Sequence, residues 1–138
     1  MAQKNYAEKA GYRHIILGGH SLGANKVIWY LSRHHDPRVE HFILLSPANL
    51  THMMSEVSRI THTGALLIGT YDRFTYGDPA GFLKNTNDHM PTAAQNKLIF
   101  IEKTGHTYQQ KEQEVADKLL KLVKEWEEER ICLSSPAR

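Results

Sequence analysis

Residues 15–23, Ile15-Ile16-Leu17-Gly18-Gly19-His20-Ser21-Leu22-Gly23, lead from a short apolar run through two glycines into a Gly-x-Ser-x-Gly pattern. The apolar run predicts a buried strand. From Gly23 onward, Val27, Ile28, Leu31 and His34 recur at helical spacing until Asp36-Pro37 ends the segment, so a helix follows the strand directly. A serine at so sharp a strand-to-helix turn sits in a strained backbone with its side chain pointing out, and the residues two places to either side must be small. Gly19 and Gly23 meet that demand. The same turn aims the backbone N–H of Leu22 at the place where negative charge develops when a bound carbonyl is attacked. His20 is read as a packing residue. Without further partners such a serine merely caps a helix; as a nucleophile it requires a base to take its proton and a carboxylate to orient that base.

Working outward, three more runs suit strands buried on both faces: Phe42 to Leu45 within residues 41–46, Leu66 to Ile68 within residues 65–69, and Leu98 to Ile101 within residues 97–102. Between the second and third of the four strands, Leu50, Met53, Met54, Val57 and Ile60 mark one face of a short helix. Packing onto the sheet is its expected role, in preference to lining an acyl pocket. Residues 71–95 are rich in Gly, Pro and Asn and predict loop with one short helix around Pro79 to Leu83. A last helix, residues 109–130, carries Val115, Leu119, Leu122 or Val123, and Trp126 on one face. Residues 1–10 read as the last turns of a helix closed by Gly11, and residues 133–138 as a flexible tail, leaving 1–132 as one domain. Strands alternating with helices define the α/β class: a parallel sheet of about four strands flanked by helices.

The base and the carboxylate follow in the order the chemistry demands. Asp72 comes just after the third strand, in Gly69-Thr70-Tyr71-Asp72, and His106 just after the fourth, in Thr104-Gly105-His106-Thr107. Loops at the carboxyl ends of parallel strands share one edge of a sheet. Asp78 is the alternative acid; Asp72 is preferred because it stands nearest the strand end, where the backbone is held most rigidly.

Together the GGHSLG turn, the strand ending LLSPANL, the GTYD turn and the EKTGHTY turn resemble the α/β-hydrolase superfamily, its small esterase-like members in particular, over nearly the whole chain. The resemblance implies Ser21 as nucleophile, Asp72 as acid, His106 as base and the Leu22 N–H as an oxyanion donor. It further implies a small-molecule ester or related acyl substrate and no cofactor. Complete members carry further strands ahead of the serine turn, so residues 1–132 correspond to the carboxy-terminal portion, a partial α/β-hydrolase fold. The first strand is then expected at an open sheet edge, offering a route to self-association. A second oxyanion donor would belong to the portion ahead of it. Two other readings share these motifs: a catalytically silent fragment acting as an interaction module through that edge, and an acyltransferase or haloperoxidase-like relative.

Composition narrows the classes further. The chain has 138 residues, 41% apolar and 23% charged, as a water-soluble globular protein does. Its formal charge of +2 arises from 17 basic and 15 acidic side chains spread along the sequence, so no basic stripe points to nucleic acid. No run approaches the ~18 apolar residues of a membrane span, and the lone Cys132 has no internal partner for a disulfide, which together suggest a cytoplasmic protein. The 9 histidines invite a metal reading, but His34-His35-Asp36 falls at a helix end and no metal-ligand spacing accompanies it. No metal is expected.

Overall fold

Strand β1 (Ile15–His20) opens the computed structural model, which describes residues 11–134. The helix expected over residues 1–10 and residues 135–138 of the expected tail lie outside the described residues. After β1 come helix α1 (Leu22–Arg33), strand β2 (Val39–Leu45), a 3-10 turn (Thr51–Met53) leading into α2 (Met54–Val57), and strand β3 (Thr63–Gly69). Helix α3 (Pro79–Asp88), strand β4 (Lys97–Ile101) and helix α4 (Glu112–Leu133) complete the order. The strands lie β1-β2-β3-β4 and every neighbouring pair is parallel, as the α/β class requires.

Each central strand is apolar on both faces because the sheet is covered on both. Alternate residues point opposite ways along a strand, and the two cores follow that alternation. Phe42, Leu44, Leu66 and Ile68 pack with Val27, Ile28 and Leu31 of α1, with Val57 of α2 and with Leu83 of α3. Ile43, Ala65, Leu67 and Ile101 pack instead with Val115, Leu122 and Trp126 of α4. Burying each such leucine, isoleucine or valine stabilises the fold by roughly 1.5–3 kcal/mol. His41, on the α4 side, stacks on Trp126 with ring centroids 4.1 Å apart, and burial pulls its pKa below the ordinary histidine value. The α4 stripe therefore covers the sheet as its spacing predicts.

Several boundaries differ from the reading above, each for a local reason. β1 does not stop at Leu17 but runs through Gly18 and Gly19 to His20, pairing Gly18 with Ile43 and Gly19 with Leu44; ladder hydrogen bonds need no side chain. The Met-rich segment is not one helix but a 3-10 turn and a single α turn, with Leu50, Met53, Val57 and Ile60 buried and Met54 half-buried. α3 extends to Asp88, well past Leu83, because Asp78 caps it by accepting the Gly81 N–H at 3.0 Å, Pro79 begins it, and Lys84 pairs with Asp88 one turn on. α4 starts at Glu112 and continues through Leu133, the first residue of the expected tail.

Among the described residues β1 occupies an outer position with β2 as its neighbour, the placement expected of it. Ile16 on this strand is 37% exposed. Among the described residues no helix is long and apolar enough to cross a membrane.

Candidate active site

The turn between β1 and α1 holds Ser21 at φ 58° and ψ −117°, a left-handed conformation that a residue with a Cβ adopts only under constraint. The constraint is visible in its hydrogen bonds. The Ser21 N–H donates to the Leu45 carbonyl at 2.8 Å while the Ser21 carbonyl accepts the Ala24 N–H at 3.0 Å, fixing the residue between the sheet and the first turn of the helix. The two glycines of the motif are not equivalent here. A Cβ on Gly19 would lie 2.3 Å from the Gly23 carbonyl oxygen, whereas one on Gly23 would meet nothing within 4 Å. The steric demand read from the motif thus falls on Gly19 alone. Gly19→Ala is expected to destabilise the fold by about 1–3 kcal/mol through overpacking, and Gly23→Ala to leave the melting temperature near that of the parent chain, a contrast that calorimetry reads directly.

The structure brings Ser21, His106 and Asp72 together. Ser21 Oγ lies 2.7 Å from His106 Nε2, and His106 Nδ1 lies 2.8 Å from Asp72 Oδ2. The Asp72 side chain is fully buried and that of His106 is 17% exposed, so the carboxylate is shielded from water while the imidazole reaches the surface. The other carboxylate oxygen, Asp72 Oδ1, accepts the Phe74 N–H at 2.7 Å, which fixes the carboxylate's rotation. The Phe74 ring leans against the imidazole at a centroid distance of 4.6 Å. Asp78, the alternative acid, is occupied in capping α3.

Two loops from different strand ends must approach closely for this array to form, and Gly69 permits it. A Cβ there would fall 2.4 Å from the Thr104 carbonyl oxygen and 2.6 Å from that of Gly105. With hydrogen in its place, the loop after β4 settles onto the end of β3, where the Tyr71 N–H donates to the Thr104 carbonyl at 2.8 Å. The His106 loop is tied down from other sides as well. Tyr108 closes the turn with its N–H on the Gly105 carbonyl at 3.2 Å, and its buried hydroxyl donates to the Leu67 carbonyl at 3.0 Å. Burial pushes the Tyr108 pKa up to about 12, so the hydroxyl remains a donor across the physiological range.

Leu22 is the first residue of α1 and is 68% exposed. Its N–H belongs to the first turn of the helix, where no preceding helical carbonyl is available to it. Reading the residues alone misses His20 and Ser46. His20 Nε2 donates to the His106 carbonyl at 2.8 Å, and Ser46 Oγ donates to the same oxygen at 2.9 Å, so His20 is more than a packing residue. Ser46 left one trace in the sequence: a polar residue wedged between an apolar run and Pro47 at a strand's carboxyl end. The histidines at the end of α1 have local partners, His34 stacking on Tyr30 and His35 meeting Thr61. Among the described residues no three His, Cys, Asp or Glu side chains gather as metal ligands would.

The four-stranded parallel sheet with this helical covering is an α/β-hydrolase fold, as comparison with solved structures shows. A predicted CIB-like hydrolase from Thermoplasma acidophilum superposes with a TM-score of 0.73 at 20% identity, over 90% of this chain and 57% of that one. A serine hydrolase from the polyaromatic-hydrocarbon-degrading bacterium Cycloclasticus zankles gives 0.67 at 14% identity, over 89% of this chain and 68% of that one. An enol-lactonase from Burkholderia xenovorans gives 0.63 at 11% identity, over 90% and 69% respectively. The chain therefore spans a little over half the length of the first of these proteins and about two thirds of the others. No protein-family model matches the sequence, and no curated protein matches it.

Proposed function

We propose that the chain carries the catalytic array of a serine hydrolase that cleaves small carboxylic esters, or related acyl compounds, through an acyl-enzyme. The observation behind this reading is the continuous relay from Ser21 Oγ through both ring nitrogens of His106 to Asp72, with each link at 2.7–2.8 Å. His106 Nε2 accepts the Ser21 proton as the oxygen attacks the acyl carbon, and Asp72 holds the proton on Nδ1 and stabilises the imidazolium. The imidazolium then delivers its proton to the departing alkoxide. The N–H of Leu22 donates to the carbonyl oxygen as it becomes negative. Water, deprotonated by the same imidazole, releases the acid and restores Ser21. The strained turn keeps the hydroxyl presented to solvent instead of letting it fold back onto the helix as a cap; no side-chain capping bond is made by Ser21.

Ser21 and His106 are both partly exposed in this chain, so water has access to an acyl group on Ser21. A lactone is a cyclic ester, so the likeness to an enol-lactonase is compatible with this substrate class. The test uses p-nitrophenyl acetate and butyrate. A burst of p-nitrophenol equal to the protein concentration, with the acyl mass found on the peptide containing Ser21 after acid quench, is expected. Turnover without acylation of Ser21, or no reaction with either ester, contradicts the proposal.

A further inference from the structure

We infer that His20 and Ser46 are positioning residues that hold the base by its backbone, an inference that rests on the hydrolase reading. The carbonyl oxygen of His106 accepts two hydrogen bonds, from His20 Nε2 at 2.8 Å and from Ser46 Oγ at 2.9 Å. These donors come from two different strand ends, β1 and β2, while His106 itself follows β4. The clamp thus spans the sheet. A carbonyl oxygen has two lone pairs, and both are engaged here, by the exposed His20 and the buried Ser46.

The adjacency of His20 and Ser21 gives this clamp its consequence. One residue grips the backbone of His106 and the next presents its hydroxyl to the ring of the same residue. The distance between nucleophile and base is therefore set by a closed loop of short contacts, with the imidazoles of His20 and His106 5.3 Å apart and tilted against each other. Ser46 supplies the second fixed point. It is fully buried, sits at φ 49°, and its own N–H donates to the Leu67 carbonyl, the same oxygen that receives the Tyr108 hydroxyl. Ser46 is thus a buried serine in a left-handed backbone whose hydroxyl donates to a loop 60 residues away. A middle residue lacking an N–H at this reach would leave the His106 carbonyl held by Ser46 alone, with the rest of the loop still tied by Tyr71 and Tyr108.

The chemical requirement is specific: an N–H donor at the end of a side chain with the reach of Nε2. Glutamine places its amide nitrogen at the same number of bonds from Cα, so His20→Gln keeps the donor, whereas His20→Phe keeps the ring and removes it. The clamp predicts that H20F lowers kcat on the order of 10-fold with KM little changed, and that Ser46→Ala does the same. Removing both is expected to lower kcat by about 100-fold or more, since either donor alone retains part of the geometry. H20Q should restore most of the rate.

The experiment pairs two readouts on H20F, H20Q, S46A and the parent chain. One is kcat and KM on p-nitrophenyl acetate; the other is the downfield proton resonance of the His106 Nδ1–H bonded to Asp72, observed by NMR without substrate. Lower kcat at constant KM, with a broadened or absent proton signal in H20F and S46A and its return in H20Q, supports the clamp. Parent-like kcat and an unchanged proton in H20F and S46A together overturn it, as does an H20Q variant no better than H20F in either readout. Should the parent chain prove inactive on esters, the hydrolase proposal fails, and the proton signal across the same variants still decides whether the clamp positions His106.

Discussion

Ser21→Ala is expected to lower kcat on esters by about 10⁴-fold or more, with the fold intact and substrate binding largely retained. In the proposed reaction the oxygen removed is the atom that bonds to carbon, so no neighbour can replace it. What activity remains would come from the Leu22 N–H and from His106 acting on water directly, which is why the loss stops short of the whole rate enhancement. A companion variant separates chemistry from structure. Ser21 lies at φ 58°, in a region that suits glycine and costs other residues roughly 1–3 kcal/mol. Ser21→Gly should therefore be as inactive as the alanine variant yet melt no lower than it, because glycine relaxes the turn. Activity assays and calorimetry on the two variants check both halves of the expectation. A serine kept only for structure would produce the opposite result, with stability lost and rate preserved.

Asp72→Asn is expected to lower kcat by on the order of 10⁴-fold, while Asp78→Asn changes it by less than about twofold. The asymmetry follows from which protons each side chain handles. Asp72 receives the Nδ1 proton of His106 on one oxygen and the Phe74 N–H on the other. An asparagine keeps its carbonyl oxygen toward Phe74 N–H and so turns its amide donor toward Nδ1. That forces the imidazole proton onto Nε2, which then cannot accept the proton of Ser21. The side chain is buried, so water cannot correct the tautomer. Asp78 instead accepts the Gly81 N–H at the start of α3, and asparagine is an equally good cap. Steady-state kinetics on the two variants distinguishes them, and equal losses in both would contradict the assignment of the acid.

The parts of this arrangement that were legible in the sequence are those carried by local pattern. Phe42 to Leu45 and Leu66 to Ile68 are continuous apolar runs because both faces of β2 and β3 are covered, and that leaves a plain signature. The serine turn was legible because a strand, two glycines and a helix stand next to one another, and Asp72 and His106 because each follows an apolar run closely. The length of α3 was hidden because Asn85, Asn87 and Asp88 favour loops in isolation. In the folded chain Asn87 is buried and its amide donates to the Ala93 carbonyl, so tertiary contacts override the local preference. The different demands on Gly19 and Gly23 depend on what faces each one across the turn. His20 and Ser46 were hidden for a related reason: their shared acceptor lies 86 and 60 residues further along, and no local spacing reports it. Gly69 belongs with them, since its need for hydrogen in place of a side chain comes from the loop after β4.

In the proposed mechanism His106 renders the hydroxyl of Ser21 nucleophilic, and a fluorophosphonate probe reports this because it reacts readily with an activated serine and not with an ordinary one. Incubation of the folded parent chain, followed by peptide mapping, should place one phosphonyl group per chain on Ser21, with labelling lost on boiling and in Ser21→Ala and strongly slowed in Asp72→Asn. Folded protein that stays unmodified under these conditions, or that carries the label on any other residue, would rule out Ser21 as the activated nucleophile.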